Sequence, residues 1–187
     1  PSDILFTPNF AARGEYIEAL DAGLRVTLDN PWILERWGGD FAGREIFLRL
    51  DPGSGLGHHK MVRTAGSNAK FGIPLSELER AARLARAHGV RVVGLHAHTG
   101  SGIMQPDSWY RTMETLADAA RDLPDVEVID LGGGLGVPDR ETDLPLDLAA
   151  LEAGIGALKS ELVRPIRIWL EPGRFLVSRA GVLVARV

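Results

Sequence analysis

Short apolar runs alternate with longer, mixed stretches along the whole chain. The short runs are rich in valine, isoleucine and leucine, which favours β-strands, and the longer stretches are typical of helices. This pattern predicts strands at 4–6, 24–29, 45–50, 91–98, 126–131 and 166–170, with helices at 11–22, 31–37, 76–88, 106–121 and 146–162. Strands that alternate with helices indicate an α/β fold with a parallel sheet.

The ends of several predicted helices carry residues that typically begin or end a helix. Gly89 follows the third helix, where glycine tolerates the left-handed conformation of a C-terminal cap. Asn30 precedes Pro31, a pair typical of an N-cap and the first helical residue. Ser76 and Glu79 have the spacing of a capping box, which predicts that the third helix begins after a Ser76 cap.

Alternate residues of a strand point to opposite faces of a sheet, so each predicted strand has two distinct faces. In three strands one face is apolar and suits a layer of helices, whereas the other carries a charged or polar residue near the carboxyl end. The apolar sets are Ile46, Leu48 and Leu50; Val93, Leu95 and Ala97; and Ile166, Ile168 and Leu170. The opposite faces end in Arg49, His98 and Glu171. This arrangement is typical of a β/α barrel with its active site at the mouth.

The glycine-rich segment after the fifth predicted strand indicates which part of a barrel the chain represents. A (β/α)8 barrel has about eight strands, and its phosphate site commonly lies in the loops after strands 7 and 8. If the last two predicted strands are these, two β/α units are missing at the N-terminus. We therefore expect a partial barrel of about six units at 1–175 and the β-rich start of a C-terminal β-domain at 176–187. The alternative, a small doubly wound domain, would carry its glycine-rich loop after the first strand.

Composition and charge exclude several classes of function. The chain has 187 residues, 45% of them hydrophobic, which is enough for one sizeable domain with a buried core. Its net charge of −4 gives no indication of a nucleic-acid or anionic-membrane partner. There is no cysteine, which excludes disulfides and thiolate metal sites and suits a cytoplasmic protein. No apolar run approaches ~18 residues, and residues 1–3 lack signal-peptide character.

Three consecutive glycines, Gly132, Gly133 and Gly134, directly follow the strand at 126–131. Glycine allows positive φ and leaves backbone N–H groups open to an anion, so this run is a candidate phosphate cradle. An ordinary tight turn between a strand and a loop is the alternative interpretation.

His96 and His98 lie two residues apart at a strand end, on one face of the strand. They could ligate a metal, but such a pair needs further ligands from later strands. No histidine follows His98, so we expect no metal site. Alternatively, one imidazole stacks on a flat cofactor ring while the other packs, or both are ordinary residues at a barrel rim.

Two further loops carry polar groups suited to anions. Thr99-Gly100-Ser101-Gly102 follows the histidines, and its hydroxyl and open N–H groups could contact phosphate, although it also fits a hydrophilic turn. Glu171 and Arg174 flank Pro172-Gly173 after the last strand. They form either a local ion pair worth under ~1 kcal/mol, or a pair in which Glu171 keeps a heteroaromatic nitrogen protonated and Arg174 binds an anion.

Three of these motifs, in their order along the chain, resemble those of the fold-type III pyridoxal phosphate (PLP) decarboxylases. They are His-Ala-His-Thr-Gly-Ser at 96–101, Gly-Gly-Gly-Leu-Gly at 132–136 and Glu-Pro-Gly-Arg at 171–174. The segments at 27–30, 48–50 and 70–74 also fit, so the resemblance covers nearly the whole chain. It implies an alanine-racemase-like (β/α)8 barrel, PLP as the cofactor, a small-molecule amino-acid substrate and a homodimer when the protein is full length.

The resemblance also implies roles for individual residues. His98 would stack on the PLP ring and Glu171 would pair with the pyridine nitrogen, so these two are the expected catalytic residues. Arg174 would help to bind the phosphate or would instead bind a substrate carboxylate. By the alternation of faces, Asp130 lies on the inner side, where we expect it to orient a histidine. The implied cofactor-binding residues are Arg49, His98, Ser101, Gly132, Gly133, Gly134, Glu171, Gly173 and Arg174.

Within the family, the motifs are most similar to those of diaminopimelate decarboxylases, especially the decarboxylase part of bifunctional chains that also contain an aspartokinase. The resemblance therefore implies decarboxylation of meso-2,6-diaminopimelate to L-lysine. The alternatives are a related decarboxylase of arginine or a polyamine precursor, an amino-acid racemase, a non-catalytic PLP-binding or carrier protein, and a metal-dependent barrel hydrolase.

The chain departs from the family pattern in two places. The family's cofactor-binding lysine lies in a Lys-Ala-Asn type motif on the first barrel strand, whereas Lys60, Lys70 and Lys159 lie in no such motif. The residues that the family takes from its C-terminal β-domain are also not found up to Val187. We therefore expect these 187 residues alone to have no decarboxylase activity.

Overall fold

The computed structural model describes residues 3–53, 71–138, 140, 142–182 and 184–186. Within them, strands and helices alternate as the sequence predicts. The strands are β1 (Leu5–Phe6), β2 (Arg25–Leu28), β3 (Glu45–Asp51), β4 (Ile73–Pro74), β5 (Arg91–His96), β6 (Val128–Asp130) and β7 (Arg167–Trp169). The helices are α1 (Arg13–Asp21), α2 (Pro31–Trp37), α3 (Leu78–Ala87), α4 (Asp107–Ala120), α5 (Leu148–Ser160) and α6 (Gly173–Val177), with short 3-10 turns at Gly38–Phe41 and Leu75–Glu77.

All described strands run parallel in one sheet. Their order is β1-β2-β3-β5-β6-β7, and the short β4, which the sequence pattern did not predict, pairs with the end of β3. Helices connect successive neighbouring strands, which is the repeat unit of a β/α barrel. The prediction of an incomplete barrel with a parallel sheet is therefore confirmed.

Apolar side chains form two clusters on opposite faces of the sheet. The larger cluster lies between the outer face and the helices, and its members include Leu48, Leu95, Ile129, Trp109 and Met113. The smaller cluster lies on the inner face and consists of Phe47, Val93 and Val128, with Leu5 and Trp169 packed against it. The outer face thus carries most of the core, and the inner face is left to support the site.

A β-bulge in β5 corrects one predicted assignment of faces. The register between β3 and β5 shifts between Ile46 and Phe47, so β5 has one extra residue at this point. Val93 consequently packs with Phe47 on the inner face, whereas simple alternation placed it on the outer face with Leu95. Beyond the bulge the predicted alternation holds, with Leu95 in the outer core and His96 on the inner side.

Two of the predicted helix ends are correct and one is wrong. Asn30 caps α2, since its Oδ1 accepts a hydrogen bond from the Trp32 N–H at 2.9 Å. Gly89, which follows α3, has a φ of 66°. Ser76 makes no cap, because it lies inside the 3-10 turn and α3 begins only at Leu78.

The end of the chain differs from its predicted β-rich character. Helix α6 extends to Val177, and no strand is found among the described residues that follow it. A domain boundary near residue 175 stays a prediction. Most of the loop predicted at 51–70, including Lys60 and Lys70, lies outside the described residues.

None of the helices in the described part of the chain is long and apolar enough to cross a membrane.

Candidate functional site

Five ionisable side chains lie at the carboxyl ends of four neighbouring strands. Strands β3, β5, β6 and β7 are adjacent in the sheet, so their ends form one edge. The side chains on this edge are Arg49, His96, His98, Asp130 and Glu171. The sequence prediction that Arg49, His98 and Glu171 belong to one site is consistent with this placement.

Glu171 is held by His96. The His96 imidazole is 1% exposed, and its Nε2 lies 3.3 Å from Oε2 of Glu171. This contact lowers the pKa of Glu171, although desolvation opposes it, so the carboxylate is ionised at neutral pH. The other ring nitrogen, Nδ1 of His96, is buried without a hydrogen-bond partner in the described part of the structure.

Asp130 lies behind this pair, with 1% of its surface exposed. Burial, and then the negative charge of Glu171, raise the pKa of Asp130 to about 6. Its Oδ1 accepts a hydrogen bond from the Gly132 N–H at 2.9 Å. The sequence predicted that Asp130 would orient a histidine; among the described residues its side-chain hydrogen bond goes to the glycine run instead.

His96, Asp130 and Glu171 also resemble a set of metal ligands. One polar atom of each lies within 4.8 Å of the other two. The sequence argument against a metal counted only histidines and overlooked these two carboxylates. Each carboxylate, however, already has a hydrogen-bond partner within the protein, His96 for Glu171 and Gly132 for Asp130. The prediction of no metal therefore stays a prediction.

His98 presents a neutral imidazole at the strand ends. Its Nδ1 accepts a hydrogen bond from the Gly133 N–H at 3.3 Å, which requires Nδ1 to be unprotonated. Desolvation, and then the positive charge of Arg49, lower the pKa of His98. A neutral ring that is fixed at one nitrogen suits the stacking role that the sequence predicted.

Arg49 is a buried cation between two carboxylates. It is 8% exposed, its guanidinium lies 5.2 Å from the centroid of the Phe71 ring, and its Nη1 donates to Oδ1 of Asn9. Burial lowers the pKa of Arg49, and the charges of Asp29 and Glu171 oppose this effect. Asn9, Asp29 and Phe71 were given no role by the sequence analysis, because they come from three separate loops.

The three consecutive glycines fit tightly between neighbouring loops. A Cβ on each would approach a backbone carbonyl oxygen more closely than real Cβ atoms do: that of Ala97 for Gly132, of Glu171 for Gly133 and of Gly100 for Gly134. Gly132 and Gly134 also have positive φ values of 69° and 90°, whereas Gly133 does not. Glycine is therefore required at all three positions by packing alone, and by backbone conformation at two.

The N–H groups of the run differ in what they bind. Those of Gly132 and Gly133 donate to Asp130 and His98, so both are already used inside the protein. The N–H of the half-buried Gly134 makes no hydrogen bond to another described residue. The sequence predicted that all three N–H groups could bind a phosphate. Among the described residues, only the N–H of Gly134 is left to do so.

Two cavities open beside the loop at 98–102. One, of about 250 Å³, is lined by Arg49, His98, Phe71, the end of β3 and the start of the loop that follows β5. The other, of about 620 Å³, is lined by Arg174, Gly102, Met104 and residues 137–138 and 142–144. Arg174 thus faces a different cavity from Arg49 and His98. Ser101 is exposed on the intervening loop, and Gly173 donates its N–H to the Glu171 carbonyl at 2.8 Å.

Together, these polar groups fit a flat, anionic, heteroaromatic molecule. An ionised carboxylate at Glu171 suits a protonated ring nitrogen, and the neutral imidazole of His98 suits the face of a ring. The open Gly134 N–H and the Arg174 guanidinium suit a phosphate.

Comparisons with known proteins agree with this chemistry. A family model described as "Pyridoxal-dependent decarboxylase, pyridoxal binding domain" matches residues 1–178. The diaminopimelate decarboxylase of Methanothermobacter thermautotrophicus is 38% identical over 200 residues, which cover 100% of this chain and 46% of that protein. The enzyme of the same name from Streptomyces coelicolor is 36% identical, over 98% of this chain and 43% of that protein.

A crystal structure of a diaminopimelate decarboxylase has a similar fold, with a TM-score of 0.76 at 26% sequence identity. The alignment covers 93% of this chain and 42% of that chain. The chain therefore spans less than half the length of these relatives.

Proposed function

We propose a function from the premise that the chain belongs to the pyridoxal-dependent decarboxylases, whose pyridoxal-binding domain it matches over residues 1–178. The site at the strand ends binds pyridoxal 5'-phosphate, and the full-length protein decarboxylates meso-2,6-diaminopimelate to L-lysine. The observation that carries this proposal is that an ionised Glu171 and a neutral His98 lie on the same edge of the sheet.

Each of these two residues would act on one part of the cofactor ring. Glu171 would hold a proton at the pyridine nitrogen, because its carboxylate stays charged beside His96. His98 would lie against the ring face, oriented by its hydrogen bond from Gly133. Arg49 would stay charged between Asp29 and Glu171 and would support the site from the barrel interior. The bound cofactor supplies an electron-withdrawing ring that stabilises negative charge at the carbon that loses CO2.

The phosphate would be bound by backbone N–H groups, a hydroxyl and a guanidinium from the loops at the strand ends. Gly134, with its open N–H, would contribute directly, and Ser101 would add its hydroxyl. Gly173 and Arg174 would complete this part of the site. Gly132 and Gly133 would contribute to it through the shape of the run rather than through their N–H groups. Alternatively, Arg174 would bind a substrate carboxylate from the larger cavity.

The choice of substrate rests on two relatives, 38% and 36% identical, both named diaminopimelate decarboxylase. A decarboxylase of arginine or a polyamine precursor, an amino-acid racemase and a non-catalytic PLP-binding protein remain the alternatives. Homodimer formation and a cytoplasmic location belong to the same proposal; the absence of cysteine suits a reducing compartment. Light scattering on the full-length protein would test the dimer.

The proposal is tested in two steps. First, equilibrium dialysis measures PLP binding to the 187-residue chain, with pyridoxal as the control that lacks phosphate. Second, CO2 release by the full-length protein is measured with meso-diaminopimelate, arginine, ornithine and lysine. We expect PLP to bind more tightly than pyridoxal and meso-diaminopimelate to be the preferred substrate. CO2 release from another amino acid alone would contradict the substrate, and PLP binding without any turnover would favour the carrier alternative.

A further inference from the structure

A single peptide group links the two residues proposed to act on the cofactor ring. The Gly132 carbonyl accepts a hydrogen bond from the Glu171 N–H at 3.0 Å. The N–H of Gly133, which belongs to the same peptide unit, donates a hydrogen bond to Nδ1 of His98 at 3.3 Å. Because a peptide unit is planar and rigid, these two hydrogen bonds fix Glu171 and His98 relative to each other.

The orientation of this peptide depends on Asp130, which precedes it in the turn. Asp130 Oδ1 accepts from the Gly132 N–H at 2.9 Å, a side-chain contact two residues along the chain that typically fixes a turn. Gly132 has a φ of 69°, and the space for its missing side chain is filled by the Ala97 carbonyl. The turn is therefore held by one buried carboxylate on one side and by packing on the other.

We propose that Asp130 is a positioning residue, which fixes the Gly132–Gly133 peptide and thereby the placement of Glu171 and His98 on either side of the cofactor ring. This inference rests on the proposed PLP site and assigns the first two glycines a role other than binding phosphate. Without an acceptor at position 130, the buried N–H of Gly132, which belongs to the preceding Leu131–Gly132 peptide, would be unsatisfied. The turn would rearrange to satisfy it and would thereby rotate the Gly132–Gly133 peptide. Both hydrogen bonds that it makes would then weaken together.

Two substitutions at Asp130 distinguish the effect of losing the hydrogen-bond acceptor from the effect of losing the negative charge. Asp130→Asn keeps an oxygen for the Gly132 N–H and removes the charge, whereas Asp130→Ala removes both. We expect PLP affinity to stay within about threefold of the parent for Asp130→Asn and to fall about 10- to 100-fold for Asp130→Ala, as for a buried donor left unpaired. Equal weakening by both substitutions would overturn the inference, because charge would then be the property that matters.

Amide hydrogen exchange in the cofactor-free chain gives a readout that does not depend on PLP. In the parent and in Asp130→Asn, exchange at Gly132 and Gly133 should be about 100-fold slower than at Gly134, whose N–H has no described partner. In Asp130→Ala both should accelerate together. The 15N signal of His98 Nδ1 should shift in Asp130→Ala alone, as its hydrogen bond is lost.

The outcomes distinguish this inference from the proposed function. Failure of the parent to bind PLP would contradict the proposed function. Fast exchange at Gly132 and Gly133 in the cofactor-free parent would overturn the inference whatever the cofactor does. If Asp130→Ala does not fold, Asp130→Ser serves in its place, because its shorter hydroxyl reaches the same N–H less well. Exchange at the two glycines should then be faster than in Asp130→Asn, and equal rates would overturn the inference.

Discussion

His96 and Glu171 are 75 positions apart in sequence, yet Nε2 of His96 lies 3.3 Å from Oε2 of Glu171. The contact exists because β5 and β7 both pair with β6, so their carboxyl ends flank the same strand. It lowers the pKa of Glu171 and leaves a charged carboxylate at the edge of the sheet. That charge is the basis of the first prediction.

Glu171→Ala should leave PLP bound to the full-length protein and slow decarboxylation by about 100-fold or more, because the ring nitrogen loses the group that holds its proton. Single-turnover CO2 release measures the rate, and absorbance after dialysis measures retained cofactor. Glu152→Ala, an exposed position on α5, is the matched control and should behave as the parent. An unchanged rate in Glu171→Ala would remove Glu171 from the mechanism.

Gly133→Ala should abolish PLP retention, because even a single methyl group would meet the Glu171 carbonyl. Gly173→Ala is the control within the same site: its Cβ would meet nothing within 4 Å, and the backbone N–H is retained. Dialysis followed by absorbance compares the two variants. Full retention by Gly133→Ala would mean that the run tolerates a side chain and is only a turn.

Asp130→Asn should stabilise the folded chain at pH 8 relative to the parent. Burial raises the pKa of Asp130 from its ordinary value of 3.8 to about 6 in the folded protein. The folded state therefore binds this proton more tightly than the unfolded state, and the parent loses up to about 3 kcal/mol as pH rises from 4 through 6. Asparagine does not titrate, so the Asp130→Asn variant loses no stability in this way as pH rises. Urea denaturation of both proteins from pH 4 to 8 measures the difference, which should grow with pH; a constant difference would contradict the assigned pKa.

Asn30→Ala should lower the free energy of unfolding by about 1 kcal/mol, the usual cost of losing an N-cap, because the Trp32 N–H loses its acceptor. Ser76→Ala should change it by less than about 0.5 kcal/mol, since Ser76 is exposed and caps no helix. Urea denaturation at pH 7 suffices for both. A larger loss for Ser76→Ala than for Asn30→Ala would support the capping box that the sequence predicted.

Much of the fold follows from local rules that a sequence contains. The alternation of strands and helices, the Asn30 cap and the inward position of Arg49, His98 and Glu171 all depend on nearest neighbours or on the two-residue period of a strand. The bulge at Val93 does not, because an extra residue in one strand is visible only when its partner strand is known. The Ser76 prediction was wrong because a 3-10 turn formed where a capping box was expected.

The candidate site was predicted only in part, because its contacts join distant loops. Motifs gave the residues, whereas the pairing of His96 with Glu171 and the burial of Arg49 beside Asp29 depend on which strands are neighbours. The use of the Gly132 and Gly133 N–H groups inside the protein has no signal in the sequence, since a phosphate cradle and a packed turn require the same glycines.

The tight packing of Gly132, Gly133 and Gly134 limits how this scaffold can be re-engineered. Each missing side chain is replaced by a carbonyl oxygen of the loop after β5 or the loop after β7, so three loops are in direct backbone contact. In barrels of this kind, variation of such loops supports many different chemistries. Here a residue added to one loop would displace the other two, so the three must be transplanted together, as one cassette.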